Sequence, residues 1–138
     1  MPFIARWPGR IRAGAVSDRP VCLVDTLATI AELTNTVAAR DAGEDSFSFA
    51  RVLFGKSAPA RPPLVVHANT QFAVRDGKWK LIVPHELGKI DWRPDVAELY
   101  NLTTDPAETT NVRDAHAAEA KRLAEVLQQY EQRGRSRT

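Results

Sequence analysis

Little in this sequence can cross-link, chelate or anchor the chain. One cysteine, Cys22, stands among 138 residues, which excludes an intrachain disulfide and a thiolate metal cluster. It lies in the apolar run Val21-Cys22-Leu23-Val24, where an unpaired cysteine behaves as a small hydrophobe, so it is assigned to the core. No apolar run approaches the roughly 20 residues of a membrane-spanning helix, and no membrane partner is expected. Charge of one sign is scarce as well, with 19 Lys and Arg against 17 Asp and Glu. The excess gathers in Arg133, Arg135 and Arg137, without the basic stripe and interleaved aromatics of a nucleic-acid interface. Those arginines are expected to form a solvated tail, and no nucleic-acid partner is expected. The opening residues lack the basic region and apolar stretch of a signal peptide. The expectation is a protein that stays inside, or a chain whose true amino terminus lies upstream. No Asp-Asp pair occurs, and no His, Asp and Glu trio has metal-ligand spacing.

What is there suffices for a folded core. A hydrophobic fraction of 43% and a charged fraction of 26% fit one globular domain, or a small domain plus a piece of another. Residues 3–7, carrying Phe3, Ile4 and Trp7, read as a short strand stopped by Pro8-Gly9. Asp25 is a candidate N-cap for a helix through Thr34, and Asn35 suits a left-handed ending. Phe47, Phe49, Val52, Leu53 and Phe54 give a compact apolar turn of helix ended by Gly55. Three prolines (Pro59, Pro62 and Pro63) then mark a boundary.

Beyond the prolines the period changes to two. Leu64-Val65-Val66-His67 reads as a strand, and 72–75 and 78–83 flank Asp76-Gly77. Such a pair between alternating segments signals a hairpin, expected here with a type I′ turn at those two residues. Trp79 and Leu81 should face one side, Lys78 and Lys80 the other. A further strand is expected over 97–102. Asp105-Pro106-Ala107-Glu108 carries a helix-start signature. Asp114 can cap a longer helix in which His116, Ala120, Leu123, Leu127 and Tyr130 form one stripe ended by Gly134.

The fold class is therefore α+β: an antiparallel sheet of three to four strands packed against a carboxy-terminal helix, preceded by a strand–helix segment. Residues 1–60 form the first region and 61–138 the second. Phe3, Ile4, Trp7, Leu23, Leu27 and Ile30 offer more apolar surface than one short strand and helix bury between themselves.

The order of the pieces points further. Phe3-Ile4-Ala5-Arg6-Trp7-Pro8-Gly9 is followed by Val24-Asp25-Thr26-Leu27-Ala28-Thr29-Ile30. Next come Val74-Arg75-Asp76-Gly77-Lys78-Trp79-Lys80-Leu81, Glu98-Leu99-Tyr100-Asn101-Leu102, Asp105-Pro106-Ala107-Glu108 and Asn111. That succession resembles the carboxy-terminal part of a sulfatase of the arylsulfatase-like, alkaline-phosphatase-like superfamily, over almost the whole chain. Two departures, Ala28 where the family often has proline and Asn35 where it has glycine, touch helix geometry only. The resemblance implies that 1–60 is the terminal segment of an α/β catalytic core and 61–138 the carboxy-terminal subdomain.

It also implies chemistry that this stretch does not carry. Family members hydrolyse sulfate esters with a formylglycine made in a Cys/Ser-x-Pro-x-Arg motif, beside calcium held by Asp-Asp and Asp-Asn pairs. Both cofactors are expected only in a full-length enzyme. Ser57-Ala58-Pro59-Ala60-Arg61 matches the minimal nucleophile motif, but Pro62-Pro63 impose extended backbone where that motif opens a helix. No catalytic residue and no metal ligand is therefore assigned. His67 and Asn69 are the candidate substrate-binding residues, because some sulfatases place a histidine of this region at the pocket rim. His85 and His116 are read as structural or solvated.

The implied function is that of a sulfuric ester hydrolase segment that supports the core, lines part of the substrate pocket and is inactive alone. Its expected partner is the missing amino-terminal core, and sulfated substrate would bind only in the full-length enzyme. The alternative is a stand-alone interaction or dimerisation module that self-associates through the strand over residues 3–7. Full-length relatives are often periplasmic, secreted or lysosomal, and the sequence itself leaves the compartment open.

Overall fold

The computed structural model describes residues 3–39, 41–68, 70–86, 89–90 and 96–137. The chain divides into two compact units, one comprising Met1–Arg61 with Arg135–Thr138 and the other Pro62–Gly134.

Period-two segments build the second unit. Strand β1 (Leu64–Ala68) pairs antiparallel with β2 (Gln71–Asp76), which pairs antiparallel with β3 (Trp79–Glu86). The other edge of β3 takes β5 (Glu98–Asn101) along Trp79 to Ile82 and the two-residue β4 (Lys89–Ile90) at its far end. β3 continues through Pro84, which falls in the gap between the two. A proline lacking its N–H there forfeits no ladder bond on that edge.

The hairpin turn differs by one residue from the sequence expectation. Asp76 pairs with Trp79, so Gly77 and Lys78 form the loop. Gly77 has φ of 54° and Lys78 does not take positive φ, the pattern of a type II′ turn in place of I′.

Packing follows the register. Val74, Leu81 and Leu99 stand directly opposite one another on three adjacent strands, and all are buried. With Val83 they meet Ala120, Leu123 and Leu127 of helix α3 (Ala117–Arg133). Those three lie at spacings of three and four, one stripe on one helix face. Burying each leucine contributes about 1.5–3 kcal/mol. Gly134, at φ 68°, ends α3 in the left-handed conformation.

Two expected helix starts resolve differently. α3 begins at Ala117, with His116 at the N-cap position and no side-chain cap. Asp114 instead pairs with its neighbour Arg113 at 2.5 Å. Asp105 opens a turn that is not continued as a helix. Its carboxylate accepts from the backbone N–H groups of Thr109 and Thr110, each at 2.8 Å from Oδ2, and Glu108 reverses to φ 56°. Those N–H donations hold the Asp105 carboxyl below the ordinary carboxylate range. Glu108 then reaches Lys80 Nζ at 2.6 Å.

In the first unit, a single 3-10 turn (Leu23–Asp25) leads into α1 (Thr26–Leu33), and α2 (Ala50–Leu53) follows. Asn35, at φ 53°, and Gly55, at φ 64°, end the two helices. Residues 3–7 form no strand, because no described backbone offers them a ladder. Ring contacts hold the segment instead: Phe3 meets Phe49 edge-on at 5.3 Å and Trp7 meets Phe54 at 6.1 Å. Cys22 is half-buried and not in the core.

Asp25 does not cap α1. Its Oδ2 accepts the N–H of Cys22 and Nε of Arg61, while Oδ1 accepts the N–H of Phe47 and Nη2 of Arg61. The arginine tail is more ordered than expected. Arg135 faces Glu44 at 3.6 Å, and Ser136 donates twice to Asp45 Oδ1 at 2.7 Å. Acidic side chains in the loop after α1 give that basic tail its partners, though exposed pairs of this kind stabilise by at most about 1 kcal/mol.

Candidate functional site

His67, the fourth residue of β1, lies opposite Phe72 of β2. The two rings stack at 4.4 Å between centroids with planes 17° apart. His85 joins them from β3: its ring stands edge-on to His67 at 5.1 Å and to Phe72 at 5.2 Å. The His85 N–H donates to the Thr70 carbonyl at 2.6 Å, fixing this end of β3 against the start of β2.

The three rings share one face of the sheet, because residues directly opposite on antiparallel strands and residues two apart on one strand point the same way. His67 is exposed and His85 half-buried. An imidazole whose ring plane is set by a phenyl neighbour retains two nitrogens for a ligand, one of them a donor in the neutral form. Asn69, the second sequence candidate, lies outside the described residues.

His85 lies beyond the strand expected over 78–83, which in the structure runs on to Glu86. Alternation could have found it: Trp79, Leu81, Val83 and His85 continue one period across Pro84. His116 is distant in role, its ring packed on Trp79 at 4.8 Å as α3 begins.

On the opposite sheet face, Tyr100 donates its hydroxyl to Glu98 at 3.0 Å. Burial, followed by that carboxylate, pushes the Tyr100 phenol up. Among the described residues, no three His, Cys, Asp or Glu side chains gather as metal ligands.

The residues of the Ser57 motif do not fit a formylglycine centre. Ser57 is exposed in a non-helical stretch, and its carbonyl accepts Nε of Arg51. The motif's arginine, Arg61, grips the buried Asp25 through Nε and Nη2, each at 2.8 Å. Among the described residues, no helix N-terminus presents Ser57 to an anion.

Such an arrangement, an antiparallel sheet backed by a carboxy-terminal helix, recurs in solved structures. A Bacteroides thetaiotaomicron protein from glycosaminoglycan metabolism superposes with a TM-score of 0.63 at 28% identity, covering 78% of this chain and 24% of that one. A protein solved with its substrate D-glucosamine-2-N,6-O-disulfate reaches a TM-score of 0.72 at 23% identity, over 92% of this chain and 27% of that one. That second likeness concerns the fold.

In sequence, an N-acetylgalactosamine-6-O-sulfatase of Bacteroides thetaiotaomicron is 29% identical over 136 residues, 93% of this chain and 26% of its own length. An uncharacterized sulfatase of Schizosaccharomyces pombe is 31% identical over 144 residues, 94% of this chain and 24% of its own. No family model matches. The chain is a homologue of the carboxy-terminal region of sulfatases and spans about a quarter of the length of the curated relatives it matches.

Proposed function

We propose that this chain serves as the carboxy-terminal portion of a sulfuric ester hydrolase acting on a sulfated sugar. It buttresses a catalytic core encoded elsewhere and presents His67 at the rim of that core's substrate pocket, with Asn69 as a second polar group. The carrying observation is the match to the N-acetylgalactosamine-6-O-sulfatase along 93% of this chain and 26% of the relative. Within the reading, nucleophile and metal belong to the core. This chain supplies a hydrogen-bond donor from His67 to a sulfate or sugar oxygen. Phe72 and His85 restrict the imidazole to one orientation, which lowers the entropy lost when substrate is held.

The test is a chimera in which this chain replaces the matching quarter of the Bacteroides sulfatase. A folded chimera that hydrolyses 6-sulfated N-acetylgalactosamine, with KM raised about tenfold by His67→Ala, supports the reading, that factor being the cost of one lost charge-assisted hydrogen bond. A folded chimera without turnover overturns it. Turnover whose KM is unmoved by both His67→Ala and Asn69→Ala removes these residues from the pocket.

A further inference from the structure

The loop over residues 6–12 gathers cations and gives them no counter-charge. It carries Arg6, Arg10 and Arg12, and among residues 3–19 only Asp18 is acidic. Among the described residues, no carboxylate forms an ion pair with any of the three. Other arginines of the same unit have partners. Arg19 donates to the carbonyls of Ala58 and Pro59, Arg135 faces Glu44, and Arg137 donates to the Gly43 carbonyl. An unpaired guanidinium is costly to bury, so Arg6, Arg10 and Arg12 keep to water or take an anion.

Local geometry holds one of them in place. The Trp7 carbonyl accepts the N–H groups of Arg10 and Ile11, at 3.0 and 2.9 Å, and Gly9 takes φ of 77° inside that turn. A positive φ suits glycine, and it folds the chain back so that the Arg10 guanidinium lies over the Trp7 indole at 5.7 Å. Trp7 is itself packed against Phe54. A planar guanidinium positioned this way meets two oxygens of a tetrahedral oxyanion at once.

We propose that this loop is a second binding site for a sulfated glycan chain, built from residues other than His67. The choice of polymer rests on the proposed function, and the site itself rests on charge complementarity. Even if straight, residues 6–12 would span no more than about 20 Å, so one stretch of polymer reaches all three cations. Linked sulfates engage such cations together, so the loop retains a polymer in preference to free sulfate ion. Nucleic acid is disfavoured, because Trp7 is already taken up by Arg10 and Phe54 and leaves no platform on which bases stack.

The experiment titrates the full chain with chondroitin 6-sulfate oligosaccharides at several salt concentrations and reads Kd by calorimetry. Affinity is expected to fall with salt at a log–log slope of about −2, three contacts at about 0.7 each. Arg6→Ala, Arg10→Ala and Arg12→Ala together should weaken binding at least about tenfold and leave the unfolding midpoint in place. Removing three exposed cations from the second unit, with Arg75→Ala, Lys121→Ala and Arg133→Ala, should change Kd by less than about twofold. Equal losses from the two triple variants overturn the proposal, since net charge alone would then be at work. The absence of binding overturns it too, as does equal affinity for the desulfated oligosaccharide. Single-stranded DNA of equal charge that binds as tightly, and is released by the same three substitutions, also overturns it. If the alanine variant unfolds, the three Arg→Lys substitutions keep the charge and remove the fork. Binding weakened about threefold then supports the proposal, and unchanged binding overturns it. Because the readout is binding by this chain, an inactive chimera with that affinity intact defeats the sulfatase reading while this site stands.

Discussion

Asp25 and Arg61, separated by 36 positions, meet as a two-pronged ion pair in which Nε lies 2.8 Å from one carboxylate oxygen and Nη2 2.8 Å from the other. The pair is nearly dry, with side-chain exposures of 10% for arginine and 1% for aspartate. It ties the entry of α1, the loop at Phe47 and the proline-rich stretch to one carboxylate. Such a pair is costly to break, because removing one member leaves the other charge buried without the counter-charge that offset its desolvation.

Asp25→Ala is expected to destabilise the first unit by about 3–5 kcal/mol, since it removes the carboxylate that Arg61 grips with two nitrogens and the acceptor of the Cys22 and Phe47 N–H groups. Amide hydrogen exchange across α1 measures it. Protection in Thr26–Leu33 should collapse, and unchanged protection would show that the pair is dispensable.

Leu123→Ala removes the centre of the α3 stripe from a fully buried site. The expected loss is about 2–5 kcal/mol of stability in the second unit, read from the denaturant midpoint with an unchanged slope. Substituting Lys121, exposed on the same helix, should shift that midpoint by less than about 0.5 kcal/mol.

Gly77→Ala tests the turn. No atom lies within 4 Å of a Cβ built there, so the whole cost is the positive φ, about 1–2 kcal/mol. Strand register, followed by nuclear Overhauser contacts between Val74 and Leu81, should survive. A register shift would mean that the turn, and not the buried row of side chains, chooses the pairing.

Asp105 predicts a pH dependence. Its lowered folded value means the carboxylate form is favoured in the native state. That contribution is complete above the ordinary value of 3.8 and is lost as pH falls through the lowered one. Asp105→Ala should therefore lower the unfolding midpoint at pH 6 and have little effect well below pH 3.8. Equal losses at both pH values would assign the role to packing.

Much of the second unit was legible because one periodicity dominates it. Alternation over residues 71–83 and the stripe at Ala120, Leu123 and Leu127 each have one good way to hide their apolar atoms. Where reading failed, a competing local bond prevailed. Asp105 spent its carboxylate on Thr109 and Thr110, so the helix start became a turn. Asp76 joined the ladder, so the loop moved to Gly77-Lys78. The proline after Val83 suggested an end to the strand, and thus hid His85 from the site around His67. Only pairing partners reveal that Pro84 needs no bond at that edge.

The residues alone determined the sheet, the helix that covers it and kinship with the end of a sulfatase, because these follow from period and from order along the chain. Tertiary structure decided which way α1 faces and what Arg61 does. Both depend on a single carboxylate gathering donors far apart in sequence, and no local pattern encodes which distant groups will claim a buried charge.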